Sequence, residues 1–121
     1  MDYYKVLKLT KEASDDEIVK SYKCELLKYN LEIRGQVAGF NRVFESYYIL
    51  SDHFRRINYN KFYDTNQLDS TEFKTWKRNQ FKKLKDSKDG SGYSVMNNIV
   101  SDFFGAAILE GITSAINSII Y

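Results

Sequence analysis

The stretch ASDDEIVKSYKCELLKY, Ala13 to Tyr29, decides how the rest of the chain reads. Ser14 followed three residues later by Glu17 is a capping box, in which the hydroxyl accepts from the Glu17 amide while the carboxylate reaches back. Asp15, Asp16 and Glu17 in the first turn suit the positive end of a helix dipole. Ile18, Tyr22, Leu26 and Tyr29 then recur at helical spacing and form one apolar stripe. Lys20, Lys23 and Lys28 lie off that stripe. The stretch is therefore an amphipathic helix with an apolar side and a basic side.

Downstream, QVAGFNRVFESYYIL repeats the signal, with Val37, Phe40, Val43, Phe44, Tyr47 and Leu50 on one face. The polar link between the two segments, Leu31 to Gln36, is short, so they are expected to pack as an antiparallel hairpin. Ser51-Asp52 reads as a stop or a cap. A short helix from Phe54 to Tyr63 follows, with Phe54, Ile57 and Phe62 expected inward. Upstream, YYKVLKL supplies one or two turns that can cover the open end of the hairpin through Tyr4 and Leu7.

Composition narrows the chemistry. A chain of 121 residues with 43% hydrophobic and 16% aromatic content holds one small, aromatic-rich core, or a smaller one with an appendage. Proline is absent, which favours helices. Cys24 is the single cysteine, so neither an intramolecular disulfide nor a thiolate metal cluster can form within one chain. His53 is the single histidine, and it reads as an exposed residue at a helix start. No constellation of acid, base and nucleophile or of metal ligands is visible, so no enzymatic activity and no cofactor are expected. The opening residues do not read as a signal peptide, and a cytoplasmic protein is expected.

The first half resembles the J-domain of the DnaJ co-chaperone family. The resemblance rests on DYYKVLKL, ASDDEIVKSYKCELLKY, FNRVFESYYILSD and RRINYNKF, four blocks in the family's order. It implies two long antiparallel helices flanked by two short ones, the arrangement that periodicity suggests independently. It also implies an Hsp70 chaperone as partner, engaged by the basic face of the second helix and by a His-Pro-Asp loop that stimulates ATP hydrolysis. By position, Lys20, Lys23 and Lys28 keep the basic face. Asn30, Leu31 and Glu32 occupy the tripeptide, and none matches. Leu31 lacks proline's fixed φ, Asn30 cannot become cationic, and Glu32 is one methylene longer than aspartate. The loop is also shorter than usual, and Lys8 stands where the family commonly has glycine. The residues that hold the fold are present, while those that carry the family's activity are replaced.

The expected organisation is all-α: a J-like domain over 1–64, a basic helical segment and flexible link over 65–92, and an apolar C-terminal helix over 93–121. The basic segment sets Lys74, Lys77, Arg78, Lys82, Lys83 and Lys85 against Phe73, Trp76, Phe81 and Leu84, with Asp69 and Glu72 as its start. From Phe103 to Tyr121 the only charge is Glu110. As a helix this run would be about 28 Å long, near the hydrocarbon thickness of a bilayer. Phe103 contributes to a broad apolar face, and Ala107, Gly111 and Ala115 fall four apart and permit close helix approach. The opposing consideration is Glu110, whose burial at mid-bilayer costs roughly 3 kcal/mol. The roles expected for this tail are spanning a membrane, lying on its surface, docking on the J-like domain or on a partner, and self-association.

Three functions follow. The first is a non-catalytic J-like interaction module in chaperone or protein-assembly processes, partnering an Hsp70 or a true J-protein and unable to stimulate the Hsp70 ATPase. The second is a membrane-tethered or self-associating scaffold that uses the tail. The third and least favoured is nucleic-acid binding through the basic segment, for which no recognised motif speaks.

Overall fold

The computed structural model describes residues 1–29 and 36–86. Every described element is an α-helix: α1 Tyr3–Val6, α2 Asp15–Leu26, α3 Val37–Leu50, α4 His53–Asp64 and α5 Thr71–Asp86. The chain divides into two compact units, Met1–Asp69 and Ser70–Tyr121.

In the first unit α1, α2 and α4 start where a side chain takes up a free amide, whereas α3 follows Gln36 without a side-chain cap. Asp2 caps α1 by accepting from the Lys5 N–H at 3.2 Å. Ser14 and Glu17 form the expected capping box at α2, with reciprocal bonds of 3.2 and 3.3 Å. Asp52 caps α4 by accepting from the Arg55 N–H at 3.0 Å. Two cross-helix relations show α2 and α3 to be antiparallel. Tyr22 in α2 stacks on Tyr47 in α3, while Tyr29, just beyond α2, lies against Gly39 near the start of α3.

α3 meets α1, α2 and α4 and forms the centre of the unit. Its expected apolar face is buried from Phe40 to Leu50, but burial goes further. Val43 to Leu50 is buried on all sides, Glu45 and Ser46 included. The Ser46 hydroxyl turns back and donates to the Arg42 carbonyl at 2.7 Å, which satisfies it without a partner from another helix.

The inward face of α4 differs from the periodicity reading. Phe54 is 74% exposed and Ile57 41% exposed, whereas Tyr59 is fully buried. Tyr59 stacks on Tyr3 with centroids 4.6 Å apart, and its hydroxyl accepts from the Tyr3 amide at 2.9 Å. Arg56 donates to the carbonyls of Lys11 and Ala13 at 3.0 and 2.6 Å and to the Tyr4 hydroxyl at 3.2 Å. Tyr63 meets Tyr4 edge-on at 5.5 Å. The helix thus turns Arg56, Tyr59 and Tyr63 inward. These amphipathic side chains bury large rings or stems and still find polar partners, and that outweighs the smaller gain from Ile57.

In the second unit α5 begins after Ser70, whose hydroxyl accepts from the Phe73 N–H at 3.1 Å and caps the helix. Phe73 and Phe81 are buried and Trp76 is half-buried. Lys74, Arg78, Lys82 and Lys83 are exposed. No helix among the described residues is long and apolar enough to cross a membrane. Phe103, Ala107, Gly111 and Ala115, the expected tail contacts, lie outside the described residues.

Candidate functional site

The basic side of α2 is the candidate interaction surface. Because Ile18, Tyr22 and Leu26 are buried against the unit, the opposite side of the helix faces out. Lys20 is exposed and makes no ion pair among the described residues, and Lys23 is half-buried. Cys24 is exposed, and Leu27, at 57%, is the most exposed apolar residue of this segment.

Lys28 is placed differently from Lys20. Its ammonium donates to Glu25 at 2.8 Å, and this bond raises its pKa above the ordinary lysine value. Glu25 is itself buried, 7% exposed. Lys8 approaches the same carboxylate oxygen from the turn after α1, at 3.6 Å. Lys8 holds a left-handed backbone conformation with φ of 58°, where glycine is at ease and lysine is not. A buried carboxylate between two cations thus sits at one edge of the basic surface.

Reading by apolar period passes over Glu25, because it flanks the stripe instead of interrupting it. The Glu25–Lys28 spacing of three was the available signal. The Lys8 contact had a weaker one, a lysine at a position where the family commonly has glycine. Asn30, Leu31 and Glu32 lie outside the described residues. The side chain before them is well placed. Tyr29 packs so closely on α3 that a Cβ built at Gly39 would lie 2.1 Å from its ring. Among the described residues no group of three or more His, Cys, Asp or Glu side chains could hold a metal ion.

Comparison with known proteins agrees with this architecture. The family model of the DnaJ domain matches residues 2–60. The chaperone protein DnaJ of Staphylococcus epidermidis is 42% identical over 64 residues, which is 50% of this chain and 17% of that protein. The chaperone protein DnaJ of Erysipelothrix rhusiopathiae is 41% identical and that of Mycoplasma mobile 39%, over the same shares. The match therefore spans about half of this chain and a small part of each relative. No solved structure matches the chain at a significant level.

Proposed function

Residues 2–60 being a DnaJ domain, we propose that the protein is a non-catalytic J-like module that binds a chaperone partner without stimulating its ATPase. One observation carries this reading. The described helices and aromatic core support a J-like fold, and the sequence resemblance puts Asn30, Leu31 and Glu32 at the position of the family's tripeptide. The partner is an Hsp70 docked on the basic side of α2, or a true J-protein with which this chain pairs. The setting is cytoplasmic.

Single-turnover ATP hydrolysis by a purified Hsp70 tests it, with the full chain added in excess. No acceleration is expected, together with measurable binding that weakens as salt rises, since exposed charges are screened beyond about 8 Å at physiological ionic strength. A several-fold acceleration would overturn the inactive reading.

A second reading has its own support. Lys74, Arg78 and Lys82 recur four apart on α5, all exposed and without an ion pair among the described residues. Like charges at that spacing repel within a helix, and an anionic surface would relieve them. On this reading α5 draws the protein to anionic lipid and the apolar tail secures it. Flotation with vesicles containing phosphatidylserine tests it; salt-insensitive absence from the lipid fraction counts against it.

A further inference from the structure

Resting on the α2 docking reading above, we propose that Glu25 is a built-in counter-charge that withdraws Lys28 from the docking surface and leaves recognition of an acidic partner to Lys20.

The first support is burial. Glu25 is 7% exposed, and a carboxylate so shielded from water must be paired. Lys28 supplies the short contact at 2.8 Å, while Lys8 supplies only a longer one at 3.6 Å. A partner carboxylate that captured Lys28 would leave Glu25 with the longer contact alone. The energy gained at the interface would be offset by an under-compensated buried charge, and that cost is of the kind that exceeds a surface pair.

The second support is position. Among the described residues Lys20 has no ion pair that would compete with a partner. Cys24 and the exposed Leu27 lie on the same side of the helix, so Lys20 borders a small apolar patch. That combination fits an acidic protein surface, where opposite potentials set orientation and encounter rate. At the Lys28 edge the potential is partly cancelled by Glu25, so the surface is graded along α2 instead of uniformly basic.

The third support is Lys8. Its left-handed backbone is unfavourable for lysine, yet its ammonium reaches the same carboxylate oxygen as Lys28. The two cations converge on Glu25 from separate segments. Glu25 therefore belongs to a formed cluster and not to a chance pairing along one helix.

The experiment measures binding of the full chain to ATP-bound Hsp70 at several salt concentrations, with thermal melting of each variant alongside. Glu25→Gln is expected to tighten binding about two- to fivefold, the worth of one exposed charge pair. The gain should vanish in Glu25→Gln/Lys28→Ala. Lys28→Ala alone should weaken affinity much less than Lys20→Ala, which should weaken it in every background. Amine labelling of the unsubstituted protein provides a readout that needs no variant: Hsp70 should protect Lys20 and leave Lys28 as slow to react as before. Lys28→Ala weakening binding as much as Lys20→Ala, or Lys28 gaining protection in the complex, would overturn the counter-charge role while the docking reading stands. Absence of Hsp70 binding by the unsubstituted chain would overturn both.

Discussion

The rings of Tyr22 and Tyr47 lie face to face, centroids 3.9 Å apart and planes 3° from parallel, joining α2 to α3 at the middle of the hairpin. Tyr22 is fully buried, and its hydroxyl has no hydrogen-bond partner among the described residues. The two parts of the side chain therefore act in opposite directions. Removing the ring in Tyr22→Ala should cost about 3 kcal/mol or more, from lost transfer energy plus the cavity. Removing only the hydroxyl in Tyr22→Phe relieves an unsatisfied buried group and should be neutral or stabilising by about 1 kcal/mol. Urea unfolding of both variants checks this. A Tyr22→Phe penalty of similar size to that of Tyr22→Ala would mean that the hydroxyl is satisfied.

Buried phenols also set an alkaline limit. Tyr3, Tyr22, Tyr47, Tyr48 and Tyr59 all have pKa values raised above the ordinary 10.0, in each case chiefly because burial penalises the phenolate. Next in importance for Tyr3 is the neighbouring Glu45. In the unfolded chain these groups titrate near pH 10. Below that pH both states keep the protons and the contribution is complete. Above it the unfolded state releases protons that the folded state retains, so stability falls as pH rises. The urea midpoint should hold between about pH 8 and 9.5 and drop steeply above about 10.5. Phenolate absorbance should appear together with unfolding. An unchanged midpoint at about pH 11 would contradict the burial of these rings.

Gly39 allows a close approach in the hairpin, with the Tyr29 ring 2.1 Å from where a Cβ would be. Two effects compete in Gly39→Ala. Helix propensity favours alanine by up to about 1 kcal/mol. Displacing a packed ring costs about 1–3 kcal/mol. The clash should win, so the single substitution destabilises. In a Tyr29→Ala background the clash is gone, and Gly39→Ala should stabilise. The change of sign is the test, and additive effects would sink it.

Lys8 separates backbone strain from charge. Its φ of 58° costs any residue with a Cβ about 1 kcal/mol or more relative to glycine. Its contact with Glu25 at 3.6 Å, from a side chain 67% exposed, returns about 0.5 kcal/mol at most. Lys8→Gly should therefore stabilise slightly. Lys8→Ala keeps the strain and loses the pair, so it should destabilise slightly. A gap of about 1 kcal/mol between the two is expected, and no gap would mean that the turn relaxes to another conformation.

How far the sequence could be read depended on the kind of information needed. The hairpin was legible because Ile18, Tyr22 and Leu26 on α2 and Phe40, Val43, Phe44 and Tyr47 on α3 are apolar at helical spacing and all are buried. The capping box at Ser14 was legible because it is local. On α4 the same logic chose Phe54 and Ile57, which are exposed, because apolarity was taken as the only sign of burial. Arg56 and Tyr59 go inward for polar partners more than fifty residues away from Tyr59 and over forty from Arg56, which no local pattern reveals. Of the basic surface, Lys20, Lys23 and Lys28 were legible as residue types. The difference between Lys20 and Lys28 was not, because it arises from Glu25 and a turn residue, Lys8, brought together by the fold.

Arg56 provides the last prediction. Its guanidinium gathers the carbonyls of Lys11 and Ala13 and the Tyr4 hydroxyl, and Asp15 lies 3.6 Å away. It therefore ties α4 to the loop between α1 and α2. Carbonyls in a loop have no helical ladder to satisfy them, and Ala13 is buried, so water cannot readily replace the donor. Hydrogen bonds to a charged donor are worth roughly 1.5–3 kcal/mol each when broken, although partial replacement by water at Lys11 reduces the total. Arg56→Met keeps the aliphatic stem and removes every donor, and it should cost about 2–4 kcal/mol. Arg56→Lys keeps the charge, but a single ammonium on a different geometry cannot serve both carbonyls and the hydroxyl, so it should recover only part of that loss. Amide hydrogen exchange provides the local readout. The loss should appear first as faster exchange at the start of α2 and in α1, ahead of α3. Full stability of Arg56→Lys, or unchanged exchange in α1 in Arg56→Met, would show that the clamp does not hold these elements together.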